Sequence, residues 1–154
     1  MKLTRRTLNI ALASATLSSL LPATAFAQKK PVLGFAQVGA ESEWRTANTE
    51  SIKSAAKEAG IELKFSDAQQ KQENQIKAIR SYIAQKVDVI AFSPVVESGW
   101  ETVLMEAKAA KIPVVLTDRS VNVKDDSLYV TFMGSDFVEE GRKAGRWLIE
   151  KEKD

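Results

Sequence analysis

The 154-residue chain contains neither cysteine nor histidine. Without histidine there is no Ser-His-Asp or Cys-His nucleophile system and no imidazole metal site. Without cysteine there is no thiolate ligand and no disulfide, so any fold is held by core packing alone. The first apolar run is followed by Gly39-Ala40-Glu41-Ser42, not by G-x-G-x-x-G, which removes the usual fingerprint of a nicotinamide or flavin site. A Walker loop and a G-x-S-x-G elbow are also missing. No cofactor and no metal-ligand set is indicated. There is no clustered basic face of the kind that nucleic acid requires, no low-complexity stretch and no long linker.

What is present begins with an export leader. Lys2, Arg5 and Arg6 form a positive start, Leu8 to Leu21 is apolar and uncharged, and Pro22 breaks the run. Ala25-Phe26-Ala27 fits the small-x-small cleavage rule, so residues 1–27 read as a signal peptide. The apolar core is short of the roughly 20 residues that a bilayer span needs. A short membrane anchor is the other reading. The Arg5-Arg6 pair admits a twin-arginine route beside ordinary secretion, the commoner route for such a leader. Removing residues 1–27 takes three of the 22 basic residues and none of the 20 acidic ones, leaving a net charge of −1. The positive balance of the whole chain therefore belongs to the leader.

Beyond the leader, strand and helix patterns alternate. Strands are expected at Val32–Val38, Glu62–Ser66, Val87–Ser93, Pro113–Thr117 and Tyr129–Met133. Helices are expected from about Arg45 to Ala59, Gln72 to Gln85, Trp100 to Lys111 and Phe137 to Lys151, each with an apolar stripe at helical spacing. Such alternation implies βαβ units, hence an α/β fold with a twisted parallel sheet and helices on both faces. In the last helix, Gly141 and Gly145 lie on the stripe with Phe137, Ala144 and Leu148. They read as a close-packing face against the sheet. In a parallel sheet every strand-to-helix loop lies on one edge, and open α/β sheets bind ligands there.

That edge carries the polar chemistry. Asp118-Arg119 follows a buried apolar run, and charges in that place need partners or a ligand. A carboxylate accepts sugar hydroxyls and a guanidinium offers five donors in a fixed fork. The alternative is a capped turn in which Arg119 pairs with Asp118 or Asp136. Glu41, Ser42, Glu43, Trp44 and Arg45 share the first loop. The indole of Trp44 can stack on the C–H face of a sugar, or serve as a staple at the helix entry. Glu41 and Glu43 suit general acid–base work by type, but acids beside a helix start are more often dipole and cap partners. Arg45 stands opposite Asp118 across the crevice. Trp100 and Trp147 read as core or interface residues.

These residues carry a resemblance. Gly34-Phe35-Ala36-Gln37-Val38-Gly39 with Glu41-Ser42-x-Trp44-Arg45, the run from Gln69 to Arg80, Pro94-Val95-Val96 and Gly99-Trp100-Glu101 resemble type I periplasmic sugar-binding proteins. These are the solute-binding components of ABC importers in the ribose-binding group, and the likeness is greatest to galactofuranose-binding members. It runs from about Pro31 to Trp147. It implies the N-terminal lobe of that fold, periplasmic localisation, and non-catalytic binding of a monosaccharide, galactofuranose or a related sugar. It assigns ligand contacts to Glu41, Ser42, Trp44, Arg45, Asp118 and Arg119, with Asp136 a weaker candidate; Glu43 is a weaker candidate by its place in the first loop alone. It further implies an ABC permease as partner, reached through a two-lobed protein, and a monomeric state. Glu43, Ala68 and Lys86 stand where close members carry glycine. A left-handed backbone at Lys86 would cost roughly 1 kcal/mol. The family has two lobes, so residues 28–154 are expected to be the first lobe with the second absent. Sugar binding by this chain alone is then expected to be weak or lost. A periplasmic sensing adaptor for a chemoreceptor or sensor kinase is the alternative. A repressor core, disfavoured by the leader, and a secreted enzyme using Glu41 and Asp118 fit less well.

Overall fold

A computed structural model describes residues 29–152, so the leader and its cleavage site lie outside the described residues. The described chain runs β1 (Val32–Gln37), α1 (Glu43–Glu58), β2 (Glu62–Asp67), α2 (Gln72–Ala84), β3 (Val89–Phe92), α3 (Glu101–Ala109), β4 (Val114–Asp118), a 3-10 turn (Asp126–Leu128), β5 (Thr131–Gly134) and α4 (Phe137–Lys151). The five strands form one sheet in the order β2-β1-β3-β4-β5, and every pair is parallel. The expected α/β fold is therefore present.

Register explains where the core sits. Ala36, Phe92, Leu116 and Phe132 stand in one row across β1, β3, β4 and β5. This row faces α2 and α3, joining Ile79, Tyr82, Val103, Leu104 and Ala107 in the main apolar cluster. The next row, Phe65, Phe35, Ala91, Val115 and Thr131, points to the opposite face. There α1 covers β1 and β2, and Phe35 stacks on Phe65 with ring centroids 6.3 Å apart. Helices therefore lie on both faces. Trp100 is fully buried against Phe92, and its indole N–H donates to the Val96 carbonyl at 2.7 Å.

Helix ends follow local chemistry. After α1, Gly60 adopts φ 68°, and the Gly60 and Ile61 N–H groups return to Lys57 and Ala56. This is a Schellman closure. The same pair of bonds closes α2 through Lys86 (φ 54°) and α3 through Lys111 (φ 58°). The left-handed lysine expected at position 86 is thus found, and position 111 adds a second. Ala68 and Glu43, the other two positions where close members are expected to carry glycine, do not adopt a left-handed backbone. The left-handed residues of the β2–α2 turn are Gln69 and Gln70, and Glu43 is helical.

α4 spans the expected residues, but its partner does not. Every side chain of α4 is exposed or half-exposed, Trp147 at 61%. A Cβ placed on Gly141 or Gly145 would meet nothing within 4 Å. The expected packing of this stripe on the sheet is therefore overturned for the described residues. On the α1 side of the sheet, Thr131 and Met133 of β5 are exposed. Amphipathic spacing shows that a helix has an apolar face, not what covers it.

Candidate functional site

Strand order reverses between β1 and β3, because β1 leads outward to β2 while β3 leads the other way. A crevice opens outside the carboxyl ends of such strands. The β1–β3 ladder ends at Ala36 and Phe92, and the candidate residues gather just beyond it.

α1 begins two residues earlier than expected. Ser42 caps it, its hydroxyl accepting the Arg45 N–H at 3.2 Å, and Glu43 lies in the positively polarised first turn. Glu43 and Trp44 are therefore helical residues, not loop residues. This start places Arg45 one turn after Glu41 and turns its side chain down onto the sheet. Arg45 is only 2% exposed. Its Nε donates to Glu41 Oε1 at 3.2 Å, Nη1 to Gln37 Oε1 and Ser93 Oγ at 3.3 Å each, and Nη2 to Asp118 Oδ2 at 3.0 Å. Four of its five donors are thus occupied by protein. The Trp44 ring lies 4.7 Å from the Arg45 guanidinium carbon and remains 54% exposed, so it is no packed staple.

Asp118 is the last residue of β4, not the first of a loop. Its φ is 66°, and the Arg119 N–H donates to the Thr117 carbonyl at 2.7 Å. An i to i+2 bond around a residue of positive φ is a γ-turn of the strained kind, and such strain gathers at functional sites. Across the β4–β5 ladder Asp118 pairs with Gly134. A Cβ at Gly134 would stand 2.5 Å from the Asp118 carbonyl oxygen, so only glycine admits this approach.

The Asp118 carboxylate is held on one side. Oδ2 receives Arg45 and, at 3.1 Å, the Ser93 hydroxyl, with Arg119 Nε at 3.7 Å. Oδ1 has no hydrogen-bond partner among the described residues, and no described buried side-chain polar atom is left unpaired. Oδ1 therefore faces solvent. Arg119 is 44% exposed in its side chain and reaches the Val95 carbonyl at 3.5 Å. It lines a cavity of about 680 Å³ with Glu97, Ser120, Phe132, Asp136 and Val138. Arg119 thus pairs with Asp118. Asp136 caps α4, accepting the Glu139 N–H at 2.9 Å. Glu41, Ser42 and Glu43 line a shallower depression. Glu41, Arg45, Asp118 and Arg119 form one ion-paired string along a single edge, with Ser42 and Asp136 as caps at its two ends.

Three buried polar residues escaped the sequence reading. Gln37 spends all four amide bonds: Nε2 donates to Asn48 and Thr49 of α1, and Oε1 accepts from Val38 N–H and Arg45. Ser93 links Arg45 to Asp118. Gln75 on α2 binds the main chain at Ala36, Ser93 and Val95. The signals were a glutamine inside an apolar strand run, and one sharing a helical stripe with Ile79 and Tyr82. Among the described residues no cluster of metal-ligating side chains occurs, and no helix is long and apolar enough to cross a membrane.

The galactofuranose-binding protein YtfQ of Escherichia coli K12 is 51% identical over 147 residues, covering 96% of this chain and 45% of that protein. The chain therefore spans less than half the length of that relative. The periplasmic binding protein of an arabinose ABC transporter from Shewanella sp. ANA-3, solved with α- and β-L-arabinofuranose, is 62% identical. It covers 79% of this chain and 40% of its own, with a TM-score of 0.75. A structure from Mycobacterium smegmatis in complex with β-D-fucofuranose is 66% identical, with the same coverage and a TM-score of 0.75. The sequence also matches a family described as the periplasmic binding protein domain over residues 33–154. With this match and a parallel sheet whose polar residues meet at one edge, the chain belongs to the periplasmic binding protein domain family.

Proposed function

We propose that this chain is the sugar-gripping part of a periplasmic solute-binding protein that holds a monosaccharide in its furanose form, without catalysis, for an ABC importer. Residues 1–27 act as its export leader and residues 28–154 as the first of two lobes. The inner-membrane permease is the partner, and the protein works as a monomer.

The observation that carries this reading is the Asp118-Arg119 pair at the crevice. A strained turn, the buried Arg45 and the Ser93 hydroxyl hold one carboxylate oxygen inward and leave the other free. A free carboxylate oxygen beside guanidinium donors matches adjacent hydroxyls, and hydrogen bonds to charged groups contribute about 1.5–3 kcal/mol each. Trp44 supplies the apolar ring for the C–H face. Arg45 acts chiefly by orienting Asp118, while Glu41 holds Arg45 from the solvent side. Glu43, Ser42 and Asp136 set the edges of the site. Relatives at 51–66% identity are described as binding galactofuranose, or are solved with arabinofuranose or fucofuranose, which favours a five-membered ring.

One edge covers one side of a sugar, whereas tight sites bury about 70–90% of a small ligand. Affinity of this chain alone is therefore weak. The test is a titration of the full chain with methyl β-D-galactofuranoside, followed by amide shifts in nuclear magnetic resonance. Shifts are expected at Trp44, Arg119 and Gly134 at millimolar sugar, and their loss is expected in Arg119→Ala. Shifts confined to the opposite edge of the sheet would refute the site. Micromolar affinity by calorimetry would refute the incomplete enclosure.

A further inference from the structure

On the reading of this edge as a sugar site, we propose that Gln75 is its positioning residue, a buried carboxamide that braces the parted ends of β1 and β3 and thereby places Asp118 and Arg119. The last ladder pair of β1 and β3 is Ala36 with Phe92. Where the two main chains separate, Gln75 Nε2 donates to the Ala36 carbonyl at 3.2 Å and to the Ser93 carbonyl at 2.7 Å. Its Oε1 accepts the Val95 N–H at 2.9 Å. Gln75 is fully buried. A flipped amide would set its oxygen against two carbonyl oxygens, so one orientation is enforced.

The two residues gripped on the β3 side are those that touch the Asp-Arg pair. Ser93 donates its hydroxyl to Asp118 Oδ2, and Val95 offers its carbonyl to Arg119. Pro94 between them is fully buried, so Ser93 and Val95 move together. α2 anchors the brace through Tyr82, two turns further on, which is buried and donates its hydroxyl to the Phe35 carbonyl at 2.9 Å. Gln75 touches no ligand itself; it sets the width of the crevice at the point where strand order reverses.

The experiment uses the full chain with Gln75→Leu, Gln75→Glu and, as a control for plain destabilisation of the same helix, Ile79→Val. Without sugar, Gln75→Leu is expected to lose hydrogen-exchange protection at the Val95 amide and to shift the Arg119 amide, while Ile79→Val changes neither. With methyl β-D-galactofuranoside, Gln75→Leu is expected to bind about tenfold more weakly or worse, as follows from unpairing buried main-chain groups. Gln75→Glu adds a pH profile. Ionised, its carboxylate opposes two carbonyls; protonated, it regains one donor and one acceptor. Its affinity is expected to rise as pH falls from 8 to 5. Arg45 and Asp118, the charged groups on the far side of Ser93, are shared by the parent protein, and the parent titrated in parallel removes their contribution. If Gln75→Leu does not fold, the pH profile of Gln75→Glu carries the test. Unchanged Val95 and Arg119 amides, or an affinity no lower than that of Ile79→Val, would overturn the proposal. A parent protein that ignores the furanoside sinks the sugar reading instead, and the sugar-free measurements then decide Gln75 by themselves.

Discussion

The ion pair of Arg45 and Asp118 is the contact on which the site's shape depends, and a double-mutant cycle measures it. At 3.0 Å and an effective dielectric constant near 20, the bare attraction is about 5–6 kcal/mol. Burial reduces the net value, because Arg45 and most of Asp118 have left water; their side chains are 3% and 18% exposed. Asp118 keeps the Ser93 hydroxyl when Arg45 is removed, so the single loss falls short of the full penalty for an orphaned charge. Arg45→Met is expected to lower unfolding free energy by about 3 kcal/mol. Asp118→Asn keeps the shape and leaves Arg45 its Glu41 partner, for a loss of about 1–2 kcal/mol. The coupling term is expected at about 1.5–3 kcal/mol, within the range for contacting residues. Urea titrations of the four proteins, read by circular dichroism, supply all terms. A coupling under about 0.5 kcal/mol would show that Arg45 and Asp118 are held by their separate neighbours, and the account of a jointly fixed carboxylate would fail.

Gly134→Ala should destabilise by about 1–3 kcal/mol through overpacking and move the Arg119 amide resonance, since a Cβ meets the Asp118 carbonyl at 2.5 Å; an unshifted Arg119 amide at parental melting temperature contradicts the close approach. Lys86→Gly and Lys111→Gly should each raise stability by about 0.5–1 kcal/mol, the left-handed penalty less the unfolded-state freedom of glycine, as read by thermal melts. Burial raises the pKa of Tyr82 above its ordinary value of 10.0. The native state then holds this proton more tightly than the unfolded one, so its contribution is whole below pH 10 and is lost as pH climbs through the raised value. Tyr82→Phe should lose about 1 kcal/mol at neutral pH with the bond to the Phe35 carbonyl, and should flatten that part of the alkaline fall in melting temperature.

Much of the scaffold was legible because its causes are local. Alternating apolar runs and helical stripes mark the five strands and four helices of the described residues, and α2 and α4 fall within a residue of their expected bounds. The β4 boundary was harder. The apolar pattern ends the strand at Thr117, before the charged Asp118, yet pairing with Gly134 keeps Asp118 in the ladder. α1 starts two residues before its apolar stripe marks it, because the Ser42 hydroxyl caps the helix there. Arg45 was seen as a partner for Asp118, and that pairing is present. Its nearly complete burial was not foreseen, because burial depends on Gln37 and Ser93 arriving from two other elements.

Residue order alone determined the α/β alternation, the absence of thiol and imidazole chemistry, and the grouping of Glu41 to Arg45 with Asp118-Arg119 on one edge. These follow from side-chain type, from spacing within each element, and from the rule that a parallel sheet sets every strand-to-helix loop on one edge. Tertiary structure alone decided that Asp118, on a strained turn, keeps one oxygen without a partner among the described residues, that Gln75 and Gln37 are buried and bonded across elements, and that the stripe of α4 has no cover among those residues. Those outcomes depend on atoms brought together from distant parts of the chain, where hydrogen-bond geometry and packing select one arrangement from many that the same residues allow.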